Sequence, residues 1–523
     1  MKIKQTIAIL IVLIASASST SGQAQALSAK ENEVIYHVFQ RSFYDSNADG
    51  HGDLNGIKQK LDYLQELGIT SIMMVPLYQS IYYHNYFPID FKQIDSRFGS
   101  LEDYLALTKE VHKRGMKLYI DIEIHYVTED HLWYKDSFQK PASVYSDYVV
   151  YNGQGNSNPE SIAFGLNQLK SYDGKIQKMA TANMKNKNVA KYHTDLLRYW
   201  ADPNKDGKFD DGIDGFRIDH CMDNLDNKNL FTNMLSDFWK PMISEVKKVN
   251  PGIKVVAEQA DWLNPTNERE YFGKGNIDCI FAFRIQNAIV SFNKQNISNK
   301  IDSTFSLTPK DHNQVVFLEN HDTPRFASLV QRNIDKLKIG ATLNLLIGGI
   351  PAIYYGQEIG MFGEGGNARF DDSDGNDIPR REAFEWYKEI DGNGMALWYK
   401  DTGPWWTETN LTANDGVSLE EQKNDPNSLW NFYKTILRLR KQNKSLVVGQ
   451  FKAVENSNPN VLTFHRILEK TKALIIINLS EQEQRFEIKG MTLNNVTSLY
   501  NAKGKRQIDN QLLPFAIEVW ELK

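Results

Sequence analysis

Gly215-Phe216-Arg217-Ile218-Asp219 is a five-residue run in which apolar and charged side chains alternate and which stops on a carboxylate. In a strand, residues two apart share a face, so Arg217 and Asp219 would stand side by side. Similar short runs, rich in β-branched and aromatic residues, recur at 34–39, 69–75, 118–122, 255–258, 280–283, 315–318 and 352–355, with amphipathic stretches between them. That alternation is the signature of parallel βα units. One intervening helix is marked by Ile57, Leu61, Leu64 and Leu67 at helical spacing, with Gly68 as its stop. Another opens on a Ser100/Asp103 capping box, continues its apolar face through Leu101, Leu105 and Val111, and ends at Gly115. Eight such units, with no glycine-rich dinucleotide turn after the first, predict an α/β fold: a closed (β/α)8 TIM barrel and not an open doubly wound sheet.

The beat breaks over 125–187, a polar stretch without clear periodicity, and resumes with a helix over 189–200. An inserted subdomain after strand three is therefore expected, splitting the barrel into 27–124 and 188–445. Past 445, runs at 461–465, 473–477 and 516–522 alternate without intervening helices, which predicts a C-terminal antiparallel β-sandwich domain over 446–523. At the start, Met1-Lys-Ile-Lys4 leads into an apolar stretch over 7–15 and then small residues up to Ala26. This reads as a signal peptide cleaved after Ala26, hence an exported protein, periplasmic or extracellular. No later segment reaches the ~20 apolar residues of a membrane helix.

With 60 basic and 65 acidic residues, a net charge of −5 and no long run of one sign, the chain lacks a phosphate-binding footprint, so nucleic acid is not an expected partner. Cys221 and Cys279 are its two cysteines. Core size and not a disulfide framework must supply stability, and both are expected as free buried thiols. A monomer is the default expectation.

The strand ends carry the chemistry. Asp121 closes strand three, Arg217 and Asp219 strand four and Glu258 strand five, while Asn320-His321-Asp322 follows strand seven. The C-terminal ends of barrel strands converge on one face. A lone carboxylate there is well explained as a helix cap; charged groups at four strand ends in register are not. Cleaving a glycosidic bond needs two carboxylates of opposite protonation, one to protonate the leaving oxygen and one to attack the anomeric carbon, ~5 Å apart in retaining enzymes. Arg217 would keep Asp219 ionised as the nucleophile. Glu258, drier and beside an anion, would keep its proton and act as general acid and base.

These residues resemble the α-amylase family of glycoside hydrolases, whose motifs appear in order across nearly all of the chain. GFRID at 215–219 looks like the nucleophile motif, VVAEQ at 255–259 the acid/base motif and FLENHD at 317–322 the third-carboxylate motif. GIPAIYYGQE at 349–358 and HNYFPIDFKQIDSRFGS at 84–100 match the segments of strand eight and after strand two. The resemblance implies retaining cleavage of α-glucosidic bonds, most simply α-1,4 links of starch or maltooligosaccharides, without an organic cofactor. Cleavage of α-1,6 links or transglycosylation is the alternative within the family, and a non-catalytic α-glucan-binding protein the alternative outside it. It further implies that Asp322 clamps sugar hydroxyls, that His84, His321, Asp121 and Arg217 border the same ring, and that Tyr86 stacks on it. Asp377 and Arg381 resemble a later sugar-binding pair, although a surface ion pair fits them equally.

Asp45-Ser-Asn47-Ala-Asp49-Gly-His51-Gly-Asp53 sets ligands at alternate positions with Gly50 sixth, the arrangement that wraps calcium. Gly56 stands where an EF-hand carries its last Glu, so this would be a calcium loop and not a helix-loop-helix sensor. Asp202, Asn204, Asp206, Lys208 and Asp210 repeat the pattern, and both stretches also read as solvated acidic turns. The chain departs from the family at His125-Tyr126, where Asn-His is usual, at Thr181, where an aspartate is common, and at Met222-Asp223, where many starch-degrading members carry Lys-His. The calcium site usual between barrel and insertion and an endo-acting specificity are therefore not implied. Trp386, Tyr387, Trp398, Trp405 and Trp406 are either sugar-stacking platforms or core.

Overall fold

A computed structural model describes residues 32–522 apart from 224, 260–267, 367–368, 371, 490–495 and 504–509; the leader read over 1–26 lies outside the described residues. Eight strands, β1 (Ile35–Val38), β2 (Ser71–Met74), β3 (Lys117–Ile122), β4 (Gly215–Ile218), β5 (Lys254–Ala257), β6 (Cys279–Phe281), β7 (Asn313–Val316) and β8 (Ile350–Tyr354), form a closed barrel. Neighbours pair in parallel all the way round, with β8 returning to β1. All eight fall on the expected runs. β6 and β7 end two residues earlier than expected, because Phe283 already opens the helix Phe283–Val290 and Phe317 and Leu318 lead out of β7. Strands buried on both faces carry no alternation to mark their ends.

Ile35, Met73, Tyr119, Val256, Phe281, Val315 and Ala352 belong to a separate apolar cluster contributed by the strands, which fills the barrel interior. At the amino-terminal end of the strands, the buried Glu33 carboxylate accepts from the Tyr119 hydroxyl at 2.6 Å and the Ser71 hydroxyl at 2.9 Å, and pairs with Lys254 and Lys117. The opposite, carboxyl-terminal end is left for chemistry. Outside, the first helix is two short ones, Leu54–Gln59 and Leu61–Leu67, broken at Lys60, and Gly68 ends the second at φ +107°. The Ser100/Asp103 capping box is present and starts Leu101–Lys113.

Between β3 and the helix Lys187–Ala201 the chain builds a three-stranded sheet from Tyr126–Thr128, Ile176–Thr181 and Gln168–Lys170, with a helix at Leu132–Ser137. Past the barrel, β9 (Gln450–Ala453), β10 (Val461–Leu468), β11 (Thr471–Asn478), β12 (Val496–Asn501) and β13 (Ile517–Leu522) form an antiparallel sheet in the order β9-β10-β11-β13-β12. Leu462, Phe464, Ile475, Ile477 and Val519 on one face join the main core. Val461, Leu474 and Ile476 on the other meet Phe486, Ile488 and Leu512 of a second layer that contains the two-stranded piece Gln484–Arg485 and Gln511–Leu512. Arg466 of β10 ties sheet to barrel by donating to the Ile347 carbonyl, and Arg440 donates to the Leu345 and Leu446 carbonyls at 2.9 and 3.0 Å. Cys221 and Cys279 are both free and buried, as expected. No helix among the described residues is long and apolar enough to cross a membrane.

Candidate active site

Register decides which side chains meet. Asp121 on β3 lies opposite Arg217 on β4, and Ile218 opposite Ala257 on β5. The ladder runs one step past the strands: the Asp219 amide donates to Ile122 at 3.0 Å, and the Glu258 amide to Ile218 at 2.9 Å. Asp219 and Glu258 therefore leave adjacent strands at the same height. Between them the Arg217 guanidinium lies 2.7 Å from Asp121 Oδ2 and 2.5 Å from Asp219 Oδ1 through Nη1, and 2.9 Å from Glu258 Oε2 through Nη2.

One buried cation cannot neutralise three buried carboxylates, so some of them must hold protons. Burial pushes the Asp219 carboxyl up, but the attraction of His220 and Arg217 outweighs it and holds the group well below the usual carboxylate range. Glu258 goes the other way: burial, opposed by Arg217 and reinforced by the charges of Asp219 and Asp322, raises it well above that range. Burial lifts Asp121 to about 7, with Arg217 opposing and Asp219 adding to the rise. Glu258 gives Oε2 to Arg217, and a hydrogen bond shared with Asp219 further favours its protonated form.

Facing this group, Asp322 Oδ2 lies 2.9 Å from His321 Nε2, and Asp322 Oδ1 3.1 Å from Arg381 Nη2. Arg381 also donates to the His321 carbonyl and the Tyr83 hydroxyl at 2.8 and 2.9 Å, and lies 3.3 Å from Asp377. With 4 % exposure Arg381 belongs to the site, not to a surface ion pair. Burial raises the Asp322 carboxyl, yet His321 and Arg381 bring it well below the usual range. The Tyr86 hydroxyl donates to Asp121 at 2.6 Å and lies 2.7 Å from His321 Nε2. Its ring is stacked on His321 at 5.2 Å. His84 accepts the Tyr86 amide at Nδ1 and turns Nε2 toward Asp374, 4.0 Å away; burial, with Arg381 nearby, keeps its imidazole neutral.

His84 and Tyr86 sit on the loop after β2, which is anchored from β1. Arg41, buried behind β1, donates to the Tyr83 carbonyl at 2.7 Å, to Asn85 Oδ1 at 3.2 Å and to Asp95 Oδ2 at 2.8 Å. Asn85, at φ +62°, donates to the Tyr78 carbonyl and to Asp95. Asp95→Ala would leave a buried guanidinium without its anion, and is expected to cost about 3–5 kcal/mol of stability in urea unfolding at neutral pH. Burial raises Asp95, but Arg41 and the Arg97 amide bring it below its ordinary value. Its contribution is thus full above the unfolded aspartate value of ~3.9 and fades as pH falls through the lower folded value.

Three residues near the site were not anticipated. Glu123 lies two residues beyond Asp121, with a carboxyl group 3.7 Å from His220 Nδ1. His220, at φ +46°, sits 3.4 Å from Asp219 Oδ2. Asp374 is buried, with His84 Nε2 4.0 Å from its Oδ2. Period two could have flagged Glu123; the other two leave no mark in sequence. Trp386, Trp398 and Trp405 are each 5 % exposed. Trp386 packs on Phe43 and Tyr63, and Trp398 stacks on Tyr83 at 4.6 Å, so these rings are core and not platforms. Tyr387 and Trp406 are half-buried against the same core.

The first acidic loop has the expected turn. Gly50 is at φ +88°, and Asp45 accepts the amides of Asn47, Ala48 and Gly50 at 2.7–3.1 Å. Asn47, Asp49 and Asp53 add side-chain oxygens, a donor set that fits a hard cation. His51 offers only its main-chain carbonyl, because its Nδ1 lies 3.0 Å from Arg41 Nη1. In the second loop Gly207 is at φ +75°, and Asp202 accepts the Asp206 and Gly207 amides at 3.2 and 3.1 Å. Asn204 also accepts from Asp206, Asp210 takes the His112 ring on its carbonyl, and Lys208 directs its ammonium to Asp206 at 3.8 Å, so it too offers only a carbonyl. At the family's other usual cation position, the His125 ring is taken by Glu123 at 2.8 Å and the Thr181 hydroxyl by Ser161 at 2.7 Å.

Known proteins resemble this chain along most of its length. The family model described as "Alpha amylase, catalytic domain" matches residues 37–449. "Alpha-amylase 3" of Dictyoglomus thermophilum is 27 % identical over 96 % of this chain and 96 % of that protein. The oligo-1,6-glucosidase of Parageobacillus thermoglucosidasius is 24 % identical over 94 % and 97 %. Among solved structures, the α-amylase from H. orenii superposes with a TM-score of 0.77 at 25 % identity, covering 94 % of this chain and 100 % of that one. Barrel, strand-end carboxylates and family match converge: the chain belongs to the α-amylase family and is a glycosidase of that type.

Proposed function

We propose that this enzyme is a retaining α-glucan hydrolase acting on α-1,4 links of starch or maltooligosaccharides, with Asp219 as nucleophile, Glu258 as general acid and base, and Asp322 as the clamp on sugar hydroxyls. The supporting observation is one guanidinium, that of Arg217, shared by a carboxylate held ionised and another held protonated. With Asp219 Oδ1 on Arg217, Oδ2 is left to attack the anomeric carbon. As that bond forms, the bond to the leaving sugar breaks and its oxygen takes the Glu258 proton. Glu258, now ionised, takes a proton from water as the water oxygen attacks the same carbon and frees Asp219. His84, His321, Tyr86 and the Asp377–Arg381 pair border the ring and fix its orientation.

A second reading, cleavage of α-1,6 links or transfer to a sugar acceptor, is favoured by the relatives named oligo-1,6-glucosidase and by Met222-Asp223, which stand where many starch-degrading members carry Lys-His. Incubation with starch, pullulan, isomaltose, cyclodextrin and sucrose, with product identification, separates the two. Maltooligosaccharide release from starch supports α-1,4 hydrolysis; products from isomaltose alone sink it.

Calcium is the proposed structural cation of the first loop, held by Asp45, Asn47, Asp49, Asp53 and the His51 carbonyl. Its removal by a chelator is expected to lower the unfolding free energy by ~2.7 kcal/mol where calcium had stood at about a hundredfold over Kd. Calorimetry with and without calcium checks this, and Asp49→Ala should abolish the response. Export with cleavage after Ala26 is proposed from the charged and apolar leader.

A further inference from the structure

Beside Asp219 lie Glu123 and His220, which serve as neither nucleophile, acid nor base in the hydrolysis. Glu123 is 1 % exposed; its Oε1 accepts from the His125 main chain and ring, its Oε2 accepts from no nitrogen or hydroxyl donor, and its carboxyl group shares a hydrogen bond with Asp219. Asp219 gives Oδ1 to Arg217 and turns Oδ2 toward His220 Nδ1 at 3.4 Å. That nitrogen lies 3.7 Å from Glu123 Oε2 and is likewise buried without a hydrogen-bond partner. All three atoms lie within 4.8 Å of one another, the one such grouping of His, Cys, Asp and Glu among the described residues.

The distances of 3.4 and 3.7 Å from His220 Nδ1 to the two acids are close to those between ligands of one ion. Bonds of ~2.0–2.1 Å to a tetrahedral ion set its ligands about 3.3–3.4 Å apart. Two carboxylate oxygens with one imidazole nitrogen are a donor set for zinc-like ions; calcium and magnesium prefer oxygen alone. The set is also held in place. His125 fixes the far oxygen of Glu123, as outer partners of metal ligands do. His220 is kept at φ +46°, a left-handed conformation that a non-glycine residue rarely adopts and that turns its ring back toward the two acids.

We propose that Glu123 Oε2, Asp219 Oδ2 and His220 Nδ1 bind a divalent transition ion of the zinc class, with a fourth position open to water, and that this ion shuts off glycoside cleavage reversibly. The second half rests on Asp219 being the nucleophile, since the ion takes the oxygen that attacks; the binding itself does not.

The test uses the full enzyme in excess calcium, so that the acidic loops do not vary. Zinc chloride is titrated against turnover of a chromogenic maltooligosaccharide, and cobalt(II) binding is followed by its visible absorption. Expected are one cobalt per chain with the intense bands of tetrahedral nitrogen and oxygen ligation, and zinc inhibition that a chelator reverses. His220→Ala and Glu123→Gln should each need at least about 10–100-fold more zinc for half inhibition of their own residual activity. Absence of stoichiometric cobalt binding, or equal zinc sensitivity of wild type and both variants, overturns the site. Cobalt binding with undiminished turnover at saturating zinc overturns the inhibitory role. Saturable cobalt binding by a protein that turns over no α-glucoside at all supports the site and counts against the hydrolase reading instead.

Discussion

Glu258→Gln is expected to lower kcat on starch by about 10²–10⁴-fold while leaving oligosaccharide binding within a few-fold of wild type. The amide can still accept from Arg217 in place of Glu258 Oε2, so the site should keep its shape; what it lacks is the proton for the glycosidic oxygen. The loss should therefore depend on the leaving group. A substrate whose leaving group departs without protonation, such as a glycosyl fluoride, should form the covalent intermediate at a rate close to wild type, whereas a sugar leaving group should not. A merely structural glutamate would give equal losses on both. Unchanged turnover on starch would remove Glu258 from the mechanism and favour a binding protein over an enzyme.

Arg217→Met should be as damaging, for a different reason. It leaves Asp121, Asp219 and Glu258 without their shared cation, which is expected to cost about 3–5 kcal/mol of stability and about 10²–10³-fold in kcat. The pH profile carries the sharper sign. In the wild type Arg217 helps to hold Asp219 below the usual carboxylate range, so the acid limb of kcat/KM, set by protonation of Asp219, lies low. Arg217 also pulls Glu258 down against the larger effect of burial, so the alkaline limb, set by loss of the Glu258 proton, lies lower than burial alone would put it. Removing the guanidinium raises both groups, and both limbs of residual activity should move to higher pH. A bell that drops in height without moving would mean that Arg217 supports the fold but does not tune the pair.

Much of this was legible in the sequence because period two and strand-end position are strong constraints. Arg217 and Asp219 had to share a face, and Asp121, Glu258 and Asp322 had to reach one end of a barrel once eight parallel strands were granted. Register, which puts Asp121 opposite Arg217, was not written in any one strand; it follows from closing the sheet. The sheet within 125–187 escaped notice because its strands are short and expose such residues as Gln168 and Ile176, so no apolar pattern distinguishes them from loop. His220 was invisible for a conformational reason: the residue after Asp219 should face away from it, and only a left-handed backbone brings the ring back. The tryptophans at 386, 398 and 405 show the converse limit, since aromatic residues near a site look the same in sequence whether they line it or pack behind it.

Retaining cleavage turns on a bond between one aspartate and the sugar. A slow fluorinated α-glucosyl substrate, added to the enzyme before proteolysis and mass spectrometry of the peptides, should leave a glycosyl adduct on the peptide that contains Asp219. An adduct on any other carboxylate, or steady release of product with no adduct under conditions where deglycosylation is rate-limiting, would contradict it.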